Sequence, residues 1–128
     1  MAPNERNTSA VQPMRQDERP ISEQFRIVAL HYVDADGAAS LLEELKTTTL
    51  ADMKTKLMLE IGDMPDSKAE RIVKSTPEWR GYITKMVEAR SQAHKLRLQL
   101  EFLRMKEREQ DRSSWLQRTE HKMGRSTP

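Results

Sequence analysis

The sequence predicts an all-α protein: a helical hairpin with one very long, basic, coiled-coil-like C-terminal helix. Three observations carry this. First, after Pro77 no proline occurs until beyond Met123, and the only glycine in that stretch is Gly81, near its start. About 47 residues at 1.5 Å each make a rod of about 70 Å, far beyond the usual helix of about 11–12 residues. Second, apolar residues in the rod recur at alternating spacings of three and four: Trp79, Tyr82, Met86, Ala89, Ala93, Leu96, Leu100, Leu103. That is a heptad seam. Third, 33% of residues are charged, 36% hydrophobic and only 5% aromatic. Such a chain suits extended helices better than a thick β core.

The elements follow in order. Residues 1–20 hold three prolines among polar and charged residues and predict a disordered N-terminal tail. A single helical domain then spans 21–123, with helices at about 22–33, 37–61, 67–74 and 77–123. Ser22 is placed to cap the first helix, whose apolar residues Ile21, Phe25, Val28 and Tyr32 have helical spacing. Asp34 or Asp36 is placed to cap the second. Its stripe is Leu42, Leu45, Leu50, Met53, Leu57 and Ile61, with Thr47-Thr48-Thr49 as a weak spot because β-branched residues are mediocre helix formers. Gly62 serves as its C-cap and Pro65 prevents continuation. Ser67-Lys68-Ala69-Glu70 has the capping-box pattern of a short third helix. Thr76 then caps, Pro77 takes the first helical position and Glu78 faces the positive end of the dipole. Gly124 ends the rod and 124–128 fray.

Ala89 and Ala93 make a narrow waist where another helix can approach closely. The helix of about 37–61 is the expected companion. Beyond Leu103 the seam positions become Glu107, Gln110, Ser114 and Gln117, so the distal half is expected to project, self-associate or bind something polar. A 70 Å rod half uncovered predicts a homo-oligomer.

Charge is distributed unevenly. Residues 1–76 carry 10 Lys+Arg against 13 Asp+Glu, and residues 77–128 carry 12 against 7. The long helix is the basic element. Beside the seam one heptad position reads Ile83, Arg90, Arg97, Arg104, Asp111, Arg118, Arg125, with Lys106, Arg108 and Arg112 nearby. The candidate nucleic-acid-binding residues are therefore Arg90, Arg97, Arg104, Arg108, Arg112, Arg118 and Arg125, a row of planar forks suited to phosphates. The structural alternative is that these arginines lay their stems over the seam and pair with carboxylates across it. Trp115 and Leu116, off register on the polar distal rod, are the candidate partner-binding residues.

Other chemistry is thinly represented. There is no cysteine, hence no disulfide framework or thiolate metal site. His31, His94 and His121 have no metal-motif spacing, and Glu43-Glu44 and Asp63 to Asp66 read as solvated face and turn. No catalytic residue, cofactor site or metal site is expected, and the chain reads as non-enzymatic. No segment approaches 18 apolar residues, which excludes a membrane-spanning helix, and the polar start lacks the apolar core of a signal peptide. The expected location is cytoplasmic. Asn7-Thr8-Ser9 matches a glycosylation sequon by chance.

Tyr32-Val33-Asp34-Ala35-Asp36, Asp63-Met64-Pro65, and Met86-Val87-Glu88-Ala89-Arg90 with Ala93 resemble segments of small helical accessory proteins of tailed phages and prophages. Leu98 to Arg112 shares their charged helical style, and the resemblance covers roughly residues 25–123. It implies a recombination or replication accessory similar to phage recombination mediators of the UvsY type, binding single-stranded DNA and a protein partner in the host cytoplasm. It transfers no active-site residue. The chain departs from aromatic-rich single-strand binders, whose stacking platforms need exposed aromatics. The alternative is a protein–protein interaction module, an assembly adaptor or an inhibitor of a host enzyme, without nucleic-acid binding.

Overall fold

A computed structural model describes residues 18–126, and side chains through Lys122. Most of the expected N-terminal tail and the side chain of Arg125 lie outside the described residues. Among these residues the structure is four helices: α1 Ile21–Glu44, α2 Lys46–Ile61, α3 Asp66–Lys74 and α4 Pro77–Ser126. The all-α hairpin with one long C-terminal helix is the fold observed. The α4 helix alone has 50 residues, about 75 Å of rod.

The largest departure from the sequence reading lies in α1. It does not stop near Val33. It runs through Asp34, Asp36 and Gly37 to Glu44 as one 24-residue helix. Asp34 and Asp36 are therefore interior residues, not caps. A glycine in a helix interior costs roughly 0.5–1 kcal/mol relative to alanine, too little to break a helix held by packing. The packing is visible. Val28 is buried with Leu100 and Leu103 of α4, and Phe25, Ala29, Tyr32 and Leu96 close around them. Ala39 is also buried, so the packed stripe continues past the expected break.

The actual discontinuity is a single residue, Leu45, just before the Thr47–Thr49 run. Its φ and ψ of −82° and −2° remain right-handed. Leu45 N–H still donates to Leu41 O and Thr49 N–H to Leu45 O. Helical hydrogen bonding thus carries across Leu45 without a loop. The α1 start also differs from expectation. Ser22 makes no cap, and the helix opens at Ile21, where Pro20 O accepts from the N–H groups of Glu23 and Gln24.

The companion of the α4 seam is consequently α1, not the 37–61 segment as a unit. The two helices run antiparallel. Phe25 lies beside Arg104, Val28 packs with Leu100 and Leu103, Asp36 and Glu43 meet Arg90, and the Tyr82 hydroxyl donates to Leu42 O. The waist behaves as expected: Ala93 is 1% exposed.

Beyond α1 the chain folds into a small head. The α2 helix contributes no buried residue and packs against α3, where Ala69 and Val73 are buried. Lys54 on α2 pairs with Asp66 at the start of α3 at 2.9 Å. Gly62, with φ of +123°, turns the chain between them while its N–H donates to Met58 O; a side chain at that φ would be strained. The α3 helix opens at Asp66 after Pro65, without a side-chain cap, so the expected capping box is not used. The start of α4 is as expected: Thr76 Oγ1 accepts from Trp79 N–H at 3.3 Å, and Trp79 is buried with its ring stacked on Tyr82, centroids 5.8 Å apart.

At the other end α1 begins opposite the middle of α4. Every residue from Glu107 to Arg118 is exposed. About 20 residues of α4 therefore extend past the hairpin, about 30 Å, and the helix continues through Gly124 to Ser126.

Candidate nucleic-acid and partner interface

The arginine row sits on α4 and divides into two parts. Arg90 is committed within the fold. Its Nη1 is 2.7 Å from Asp36 Oδ1, its Nη2 2.7 Å from Glu43 Oε1, and its Nε donates to Glu43 Oε2 at 3.0 Å. Nη2 also donates to Ser40 Oγ at 3.2 Å. This is the bidentate fork geometry that favours arginine over lysine. The hydrogen bonds from Arg90 hold the Glu43 carboxyl below the usual carboxylate range, and those to Glu43 and then Asp36 raise the guanidinium pKa further. Arg90 thus follows the structural alternative: it ties α4 to α1. Glu43, read from sequence as solvated face, is its main acceptor. Asp36, Ser40 and Glu43 have spacings of four and three. That stripe could have been found in the sequence only by letting α1 run unbroken to Glu44.

Arg97, Arg104, Arg108, Arg112 and Arg118 are exposed. Arg104 places its guanidinium 5.3 Å from the Phe25 ring centroid, a cation–π contact, and the residue remains exposed. Arg97 Nη2 lies 3.1 Å from His94 Nδ1. Arg118 Nε donates to the Ser114 carbonyl at 3.4 Å. Among the described residues, none of Arg97, Arg104, Arg108, Arg112 and Arg118 has a carboxylate within 4.0 Å.

Their arrangement is less linear than the heptad spacing implies. On a helix of 3.6 residues per turn a seven-residue step drifts about 20°. Four such steps separate Arg90 from Arg118, so the row turns by about 80° around α4. Past Leu103 no companion helix holds α4 to a tighter winding. Arg97, Arg104 and Arg108 stay within about 40° of one another, and Arg112 and Arg118 lie about 60° from Arg97 on opposite sides of them.

The expected partner residues are both on the projecting segment, Trp115 at 60% and Leu116 at 47% exposure. The structure adds Phe102, 62% exposed, with Leu98 and Met105 on the same side of α4. Phe102 directly precedes seam residue Leu103, so the heptad spacing carries no signal for it. A second face becomes visible only once α1 has claimed the first. Among the described residues no helix is long and apolar enough to cross a membrane, and no three His, Asp or Glu side chains gather as a metal site.

No protein-family model matches the chain, and neither a curated protein nor a solved structure does.

Proposed function

We propose that this protein is a non-enzymatic, phage-type DNA recombination or replication accessory. In this reading it binds single-stranded DNA along the exposed arginines of α4 and a protein partner through Trp115 and Leu116. The observation that carries the reading is the set Arg97, Arg104 and Arg108, exposed on one face with Arg112 beside them, none of which has a carboxylate within 4.0 Å among the described residues. Arginines that served only the hairpin would be paired across it, as Arg90 is. Arg90 and its ion pairs form the anchor of the rod in this proposal, and the distal arginines form the contact surface. The resemblance to small phage accessory proteins points the same way.

The test is DNA binding as a function of salt. Four phosphate contacts on a single strand give a log–log slope of roughly −3. Arg97→Glu with Arg108→Glu is expected to flatten the slope and weaken binding while helicity is retained. Absence of wild-type binding at low salt refutes the reading.

A second reading, a protein-interaction module without nucleic-acid binding, is favoured by one observation: exposed Phe102, Trp115 and Leu116 on a rod with few aromatics. It predicts a partner contact that survives high salt and is lost on Trp115→Ala.

A further inference from the structure

The outer face of α4 carries an apolar stripe that neither α1 nor the head covers. Val87, Leu98, Phe102, Met105 and Leu116 are all exposed. Their spacings of 11, 4, 3 and 11 residues return them to one side of a 3.6-residue helix. Buried Ala93, Leu100 and Leu103 lie on the opposite side, against α1.

The stripe is symmetric. Val87 and Leu116 are equally far from the midpoint between Glu101 and Phe102, and so are Leu98 and Met105. That midpoint is also the midpoint of α4, Pro77 to Ser126. A surface that reads the same in both directions is what a two-fold, self-complementary interface requires.

We infer that α4 pairs with α4 of a second copy, antiparallel, about a two-fold axis beside Phe102. Val87 then meets the partner's Leu116, Leu98 meets the partner's Met105, and the two Phe102 rings meet near the axis. The flanking charges agree. Lys95 lies on one flank, and Glu109, on the stripe itself, is within one residue of its mirror position. Each Lys95 comes beside the partner's Glu109, so symmetry makes two opposite-charge pairs. Lys95 and Arg108, which would repel in mirror positions, are on opposite flanks. The pairing also covers the projecting end of each α4, which lies along the proximal half of the other. The axis keeps the Arg97, Arg104 and Arg108 rows of both copies on the same face. The pairing itself does not depend on DNA binding.

The chain has no cysteine, so each introduced thiol is the sole one. Phe102→Cys is expected to form a crosslinked dimer by itself under mild oxidation or with a short thiol crosslinker. Val87→Cys and Leu116→Cys are expected to crosslink when equilibrated together and several-fold less when alone. Phe102→Glu is expected to halve the sedimenting mass at tens of micromolar protein. Self-crosslinking of Val87→Cys matching the mixture means parallel pairing and overturns the inference. Crosslinking of Phe102→Cys to Leu30→Cys on the outer face of α1, in preference to itself, means a head-to-tail array and overturns it too. A monomeric wild type at that concentration does the same. The crosslinks read a chain altered only at exposed positions, so their pattern decides the matter even if Phe102→Glu lowers helicity.

Discussion

Replacing Ala93 by tryptophan tests the hairpin most directly. Ala93 is 1% exposed, on the face of α4 that α1 covers. Its neighbour Gln92 is exposed on the same turn. An indole at 93 must push α1 away or enter the small cavity beside it, about 90 Å³, lined by Tyr32, Arg90, His94 and Arg97. That cavity takes part of the ring but not all of it. Overpacking of this kind costs about 1–3 kcal/mol, and partial relief by the cavity places the expectation near the middle, about 2 kcal/mol. For a domain of this size 1 kcal/mol shifts the melting temperature by about 4–8 °C, so a loss of about 10 °C is expected. The assay is thermal melting followed by circular dichroism at fixed protein concentration, because self-association would otherwise move the midpoint. Gln92→Trp places the same ring on the same turn facing solvent and is expected to change stability by no more than about 0.5 kcal/mol. Equal melting temperatures for Ala93→Trp and wild type would mean that α1 does not cover this face.

Further outcomes are expected. Leu103→Ala, in the buried cluster with Val28 and Leu100, should cost about 2–3 kcal/mol in denaturant titrations, the low end of the usual Leu→Ala range because the cluster is shallow. Gly37→Ala should stabilise by about 0.5–1 kcal/mol, since the helix interior is open around it; Gly62→Ala should destabilise, because φ is +123° there. Glu43 is held below the usual carboxylate range chiefly by its hydrogen bonds from Arg90. Its contribution is therefore complete above the unfolded carboxylate value of about 4.3 and is lost as pH falls through the lower folded value. Acid titration of stability should accordingly be shallower in Arg90→Gln than in wild type, and identical curves would mean that the Arg90–Glu43 pair contributes nothing. Arg118→Glu, at the edge of the arginine surface about 60° from Arg97, should weaken DNA binding less than Arg108→Glu at its centre.

The long helix was legible in the sequence because its signals are local. Thr76-Pro77-Glu78 opens it, nothing interrupts it, and the Trp79–Leu103 seam has a period that only a helix can present to one partner. The end of that seam at Leu103 also marked where α1 ceases to cover α4, since Glu107 and Gln110 offer nothing to bury. The α1 boundary was not legible. Asp34, Asp36 and Gly37 form a plausible break by propensity, and the terms that override it are nonlocal: Ala39 buried in the hairpin and Asp36, Ser40 and Glu43 converging on Arg90 from 47 to 54 residues away.

The same division runs through the arginine row. By itself the sequence determined that α4 is long, basic and apolar along one seam, because composition and period are properties of the chain alone. Only the tertiary structure decided which arginines are spent on the fold and which are exposed. It also decided that Val87, Leu98, Phe102, Met105 and Leu116 make a second apolar face. A side chain's role depends on what lies across from it, and α1 supplies an opposite surface to Arg90 and Ala93 but none to Phe102 or Arg112.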